Sequence, residues 1–254
     1  MIVEGPTLFT RFAYPPNSLG YCGTDEHHEL LEYGASGVVD GGLRRLARTF
    51  EGAWPYLELI AHANGIADPL DARVVEAYWI GSPLAERVPV GMLGDSVTTR
   101  FRGAAGRDWS RLSESVDDAV PTHAYHVFCI YPWVGLLRGS HVDEPLHVLD
   151  RCRIRWGRVE TIDRDRAVVR SRHLTWDGRA LSLGPPAPEI VTMAEDGLRL
   201  AEPIAPGDWV ALHWDWVCDR LGPTRLRALR HFHARTLDLV NHRLAHPPPA
   251  AVLG

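Results

Sequence analysis

Trp209-Val-Ala-Leu-His213-Trp-Asp215-Trp-Val217 is the stretch on which the fold of this chain turns. It alternates as an extended chain does, with successive side chains on opposite faces. Read as one strand, Val210, Leu212, Trp214 and Trp216 share one face, and Trp209, Ala211, His213 and Asp215 share the other. His213 and Asp215 then become neighbours. A carboxylate in that place can orient an imidazole for metal binding or proton transfer, although a strand histidine is more often a satisfied structural residue.

Working upstream, the same short alternation recurs at Arg153–Ile162, Ala167–Ser171, Leu181–Leu183 and Ile190–Met193. Turn signals divide these runs: Asp163-Arg-Asp165, Asp177-Gly178, Gly184-Pro-Pro186 and Pro206-Gly-Asp208. Five or so strands in about 70 residues predict a small antiparallel barrel. Downstream, Thr224–Leu244 returns to helical spacing, and Pro247-Pro-Pro249 opens a Pro-rich tail over residues 247–254.

Before Cys152 the texture is helical. Leu43, Leu46, Ala47, Phe50, Trp54, Leu57 and Ile60 recur at helical spacing across Leu43–Ala63, with Pro55 placed to kink or divide the helix. Ala72–Trp79 follows Asp71, a good N-cap, and a short helix runs through Glu29 and Leu31. His123–Leu137 reads as a buried helix interrupted at Pro132, and Trp54, Trp79, Trp133, Trp214 and Trp216 as buried side chains. The expected fold class is therefore α+β. A mostly helical domain over residues 1–149 packs on a small barrel with a C-terminal helix over residues 150–246.

Composition narrows the function. The chain has 254 residues, 45% of them hydrophobic, which is enough apolar surface to fold. Its net charge of −5 argues against a nucleic-acid partner. The charge is uneven: residues 1–150 carry 20 acids against 11 Arg, and residues 151–254 carry 12 acids against 16 Arg. Ala119–Leu137 lacks charges but contains two prolines and two histidines, so no membrane span is expected. Met1-Ile-Val-Glu-Gly-Pro6 has neither the basic nor the apolar region of a secretion signal. A cytoplasmic location is expected, with Cys22, Cys129, Cys152 and Cys218 as thiols.

Several side chains could carry chemistry. His123 and His126 stand three apart on one helix, His27-His28-Glu29 clusters near the start, and Glu144-x-x-His147 has half of a di-iron spacing, with Pro145 inside it. Tyr14-Pro-Pro-Asn-Ser-Leu-Gly-Tyr-Cys22-Gly-Thr-Asp25 reads as a loop. It is either a structural wrap or a segment presenting Cys22 to a cleft.

Cys152-Arg-Ile-Arg-Trp-Gly-Arg-Val159, followed about fifty residues later by Pro206-Gly-Asp-Trp-Val-Ala-Leu-His213, resembles the HypC/HupF hydrogenase assembly chaperones over residues 150–235. Those chaperones are small OB-like barrels. Here Cys152 is internal rather than N-terminal, Arg153-Ile-Arg-Trp156 replaces a Leu-Gly-Ile-Pro run, and residues 1–149 have no counterpart. Over its full length the chain resembles only uncharacterised bacterial proteins. The resemblance implies that Cys152 and His213 carry iron transiently and that the partner is a hydrogenase large-subunit precursor or maturation protein. That makes an accessory protein rather than an enzyme. The strand alternation adds that Asp215 or a backbone carbonyl fixes the His213 tautomer. The competing expectation is an enzyme whose site lies between the helices and the barrel, using His213, Asp215, Cys22, His123 and His126.

Overall fold

A computed structural model describes residues 3–105, 118–139 and 141–246, without the side chains of 101–105. The tail expected over residues 247–254 lies outside the described residues. The first half is helical: α1 (Gly5–Ser18), α2 (His27–Ser36), α3 (Gly41–Arg48), α4 (Trp54–Ala63), α5 (Ala72–Trp79), α6 (Pro83–Glu86) and α7 (Val90–Ala105). Next come α8 (His123–Tyr125), which runs into a π turn over His126–Ile130, α9 (Trp133–Leu136) and α10 (Asp143–Cys152).

Local chemistry explains most of the boundaries. Asp40 caps α3 by accepting from the N–H groups of Gly42 and Leu43, and Asp71 caps α5 through Arg73 N at 2.9 Å. Pro55 sits in the first turn of α4, where its missing N–H costs nothing, so Leu43–Ala63 is divided in two. The expected helix His123–Leu137 is likewise broken, since Tyr131 is extended (φ −67°, ψ 146°) ahead of α9.

Seven strands follow: β1 (Arg155–Asp163), β2 (Arg166–Trp176), β3 (Leu181–Thr192), β4 (Ala194–Glu195), β5 (Leu198–Arg199), β6 (Trp209–His213) and β7 (Trp216–Arg220). Five pair in the order β1-β2-β3-β7-β6, and β6 returns to β1, so the sheet closes on itself. β4 and β5 form a separate two-stranded ribbon. The contact between β3 and β7 is parallel, Thr192 against Trp216, so the sheet is not antiparallel throughout. The two runs expected at Leu181–Leu183 and Ile190–Met193 are one strand that continues through Pro185 and Pro186. Helix α11 (Pro223–Ala245) ends the described chain, and its Asn241 side chain bonds both the N–H and the carbonyl of Leu181.

The reading of Trp209–Val217 as one strand needs correction. The chain reverses at Trp214–Asp215, and His213 pairs with Trp216 across the turn. Trp214 takes the left-handed region at φ +50°. Val210, Leu212 and Val217 fill the interior of the closed sheet with Val159, Val169 and Val191. Ala211 and Trp216 instead join a large apolar cluster that runs from Leu8 and Phe12 through Trp79 to Phe232. Trp54 and Trp133 are only half-buried. Helices and sheet thus share one core, and the switch from helix to strand occurs between Cys152 and Arg155.

Candidate metal centre

Strand register creates the site. Arg155 of β1 stands opposite Leu212 of β6, so the residues just before Arg155 fall beside His213, at the end of β6. A backbone bond from Trp214 N to Arg151 O at 2.8 Å fixes the last turn of α10 against this corner. Cys152 ends α10 there. Thr122 caps the single turn of α8, which delivers His123 to the same place. One ligating atom from each of His123, Cys152 and His213 lies within 4.8 Å of the other two.

Hydrogen bonds set the imidazole tautomers. His213 Nδ1 donates to the Phe12 carbonyl at 2.6 Å, which leaves the Nε2 lone pair buried and without a partner. His123 Nε2 donates to the Cys152 carbonyl at 2.8 Å, which leaves Nδ1 as its lone-pair nitrogen, 3.3 Å from the Tyr78 hydroxyl. That hydroxyl donates to the Gly52 carbonyl at 3.0 Å. Backbone carbonyls that hold the far nitrogen are the usual support of a ligating histidine. Trp79 packs on both rings, at centroid distances of 4.6 Å from His123 and 5.7 Å from His213, and is itself stacked on Phe12.

The centre is dry. His123, Cys152 and His213 are 5%, 7% and 0% exposed. Burial lowers the His123 pKa to about 4 and holds His213 well below the ordinary histidine range, with the neighbouring His123 adding to the effect. Both rings are therefore neutral at pH 7, the form that binds metal. Burial pushes the Cys152 thiol well above its usual range, and Cys22 adds to this. An incoming cation must displace that proton.

The other expected residues lie elsewhere. Asp215 does not orient His213; it sits in the exposed turn, bonded to Arg151 at 2.9 Å, because the hairpin places it beyond the strand face it was expected to share. His213 itself is fully buried, with its ring bonded to the Phe12 carbonyl of α1. His126 faces Tyr56 and Tyr131 rather than the trio. His147 packs on Trp214, His27 bonds Asn17, and His28 pairs with Glu32 in solvent. Cys22 is half-buried in the loop after α1.

Sequence reasoning missed the charged layer beneath the centre. Arg155 bonds Glu189 at 3.0 Å, the Trp214 carbonyl at 2.7 Å and the Asp150 carbonyl at 3.3 Å. Arg153 bonds Asp150 at 2.9 Å and His233 at 3.3 Å. Burial by itself would raise the Asp150 pKa; the His173 hydrogen bond and the charges of Arg153 and Arg155 outweigh it and hold the carboxyl far below its usual range. A signal was present, since Arg155 is in phase with Gly157 and Val159 on the inward side of β1.

A family model described as a family of unknown function (DUF6390) matches residues 1–247. The chain belongs to DUF6390. No curated protein and no solved structure matches it. The DUF6390 model spans helices and sheet alike, and the HypC/HupF resemblance over residues 150–235 is corrected by it. The local geometry explains the coincidence. Cys152 closes a helix rather than opening a strand, and Pro206-Gly-Asp208 is a turn built around Gly207 at φ +97°. A turn followed by an apolar strand reproduces such a motif without kinship. Among the described residues no helix is long and apolar enough to cross a membrane.

Proposed function

We propose that this DUF6390 protein binds a transition-metal ion through His123, Cys152 and His213. The observation that carries the reading is the convergence of three metal-ligating side chains from α8, α10 and β6 within 4.8 Å. Metal–nitrogen bonds of about 2.0–2.1 Å and metal–sulfur bonds of about 2.3 Å require donors about 3.4–3.8 Å apart, so the side chains need to close by only about 1 Å. One thiolate and two imidazoles are borderline-soft donors, suited to zinc or ferrous iron rather than to magnesium or calcium. The ion would lie where the helices meet the sheet, the same seam at which an enzyme site was expected. Sealed donors favour holding an ion over turning over a substrate.

The test uses chelator-stripped protein loaded anaerobically with Zn²⁺ or Fe²⁺ and passed through gel filtration. Wild type should retain about one ion per chain by elemental analysis, and Cys152→Ser and His213→Asn less than about a tenth of that. Wild type that elutes free of metal would sink the reading.

A further inference from the structure

The charge of the site selects among the ions its donors could hold. A bound ion meets one thiolate, from Cys152, and two neutral imidazoles, so the three donors together carry a single negative charge. Zinc or ferrous iron would keep a net positive charge on donors that are 5%, 7% and 0% exposed, which is costly. The buried carboxylates among the described residues are all committed elsewhere. Asp150 serves Arg153 and His173, Glu189 serves Arg151 and Arg155, and Asp219 serves Arg11 and Arg225. The Tyr78 hydroxyl, 3.3 Å from His123 Nδ1, gives its proton to the Gly52 carbonyl, and burial holds it protonated, so it adds no charge.

Coordination number points the same way. The cluster brings three ligating side chains together and no fourth His, Cys, Asp or Glu among the described residues. A zinc ion on three protein donors ordinarily completes its sphere with water. Here Trp79 packs on both imidazoles and is itself packed against Phe9 and Phe12, so the surroundings of the rings are apolar. The rings of His123 and His213 stand edge to face, 5.0 Å between centroids and 75° between planes. Their far nitrogens are pinned on the Cys152 and Phe12 carbonyls, so the lone-pair nitrogens are set before any ion arrives.

We infer that the ion is monovalent copper, held in a trigonal plane by the Cys152 thiolate and the lone-pair nitrogens of His123 and His213. The inference rests on the three-residue reading above and narrows it to one ion. A soft thiolate selects Cu⁺ and imidazole suits it, whereas three donors leave zinc a ligand short. Binding is a ligand exchange without redox change. Cu⁺ replaces the proton on the Cys152 sulfur, an S–Cu bond forms as the S–H bond breaks, and the proton passes to the solvent. The site ends neutral, as a dry interior requires. The buried Nε2 of His213 gains the partner it otherwise lacks.

The experiment titrates anaerobic, stripped and reduced full-length protein with Cu⁺ supplied as its bicinchoninate complex, with and without about a hundredfold excess of Zn²⁺. Wild type should take about one Cu⁺ per chain from the chelator in either solution and release about one proton. Copper K-edge absorption of the product should show three-coordinate Cu⁺ with one sulfur and two nitrogen neighbours. Cys152→Ser and His213→Asn should each bind at least about tenfold more weakly. A Cys22→Ser/Cys129→Ser double variant, which lacks the two half-buried thiols, should bind as wild type does. Circular dichroism and thermal melting of the metal-free variants identify any that fails to fold, and the wild-type absorption edge decides without them. Zn²⁺ that keeps Cu⁺ out of wild type overturns the copper assignment while the three-residue site stands. A sulfur-only sphere, or copper lost with Cys22 and Cys129, overturns it too. Wild type that retains none of Cu⁺, Zn²⁺ and Fe²⁺ removes the three-residue reading and this inference together.

Discussion

Arg155 has none of its surface in water, yet it carries a full charge into the core. Its partners explain how. Glu189 neutralises it, and its two terminal nitrogens also hold the carbonyls of Asp150 and Trp214, while its Nε has no partner among the described residues. Those residues lie two before Cys152 and one after His213, so one guanidinium sets the spacing between the two ends of the metal centre. Removing a single member of a buried ion pair leaves the other charge uncompensated, at a cost of about 3–5 kcal/mol. Arg155→Met should therefore lose about that much in chemical denaturation, and adding Glu189→Gln should recover part of it. A double variant no better than the sum of the single losses would show that the two side chains do not act as a pair. His213 was legible as a candidate because an imidazole stands out in an alternating apolar strand. Cys152, set among charged residues, entered only through the HypC/HupF resemblance that the family model corrects. His123 was visible only as one histidine among several, since nothing local says that a one-turn helix will meet β6. Arg155 was passed over because an arginine in an alternating strand ordinarily marks the solvent face, although its phase with Val159 said otherwise.

The elements that escaped the sequence are those that lack a polar side. Helix α1 is buried along nearly its whole length, from Gly5 to Asn17, so it shows no amphipathic period, and Pro15-Pro16 near its end reads as loop. It is also the helix that supplies the Phe12 carbonyl to His213 and sends Arg11 to Asp219 of β7 at 3.1 Å. Its fit is tight: a methyl group on Gly5 would collide with the Leu70 carbonyl oxygen and the Ala72 backbone nitrogen. Overpacking against backbone cannot be relieved by a rotamer change, so Gly5→Ala should cost about 2–3 kcal/mol. Thermal melting of that variant checks it, and an unchanged midpoint would mean that α1 does not pack as described. The hairpin β6–β7 was hidden for another reason. Trp214-Asp215 is not a recognisable turn pair, since turns that need positive φ normally take Gly or Asn. A two-residue turn also inverts the alternation, so Trp216 lands on the face of His213 rather than opposite it. The strand type was plain in the residues, and its reversal was not.

At the scale of the whole molecule, the uneven charge of the sequence becomes contact between its parts. Arg225 reaches Glu76 at 3.0 Å and Arg235 reaches Glu86 at 3.2 Å, so the basic C-terminal helix grips the acidic helical half. Deeper in, the fold has buried His123, His126, His213 and His233, each with its pKa lowered, first by desolvation. The sign of the consequence follows from proton counting. In the unfolded chain each imidazole takes a proton as pH falls through about 6.5, whereas the folded protein keeps them neutral, His123 down to about 4. The unfolded state then binds more protons, so stability is fully present above pH 6.5 and falls as pH drops below it. Each such histidine contributes a slope of about 1.4 kcal/mol per pH unit. The four together approach about 5 kcal/mol per unit against a total stability of about 5–15 kcal/mol. Asp150 and Glu189, held low by their arginines and hydrogen bonds against the opposing effect of burial, add their loss only below about pH 4. Metal-free protein should therefore unfold cooperatively between about pH 4 and 5.5, taking up several protons, in an acid titration followed by circular dichroism and tryptophan fluorescence. A fold that survives intact to pH 3.5 would mean that these imidazoles can be charged in place, and that the dry interior around His123 and His213 is wetter than described.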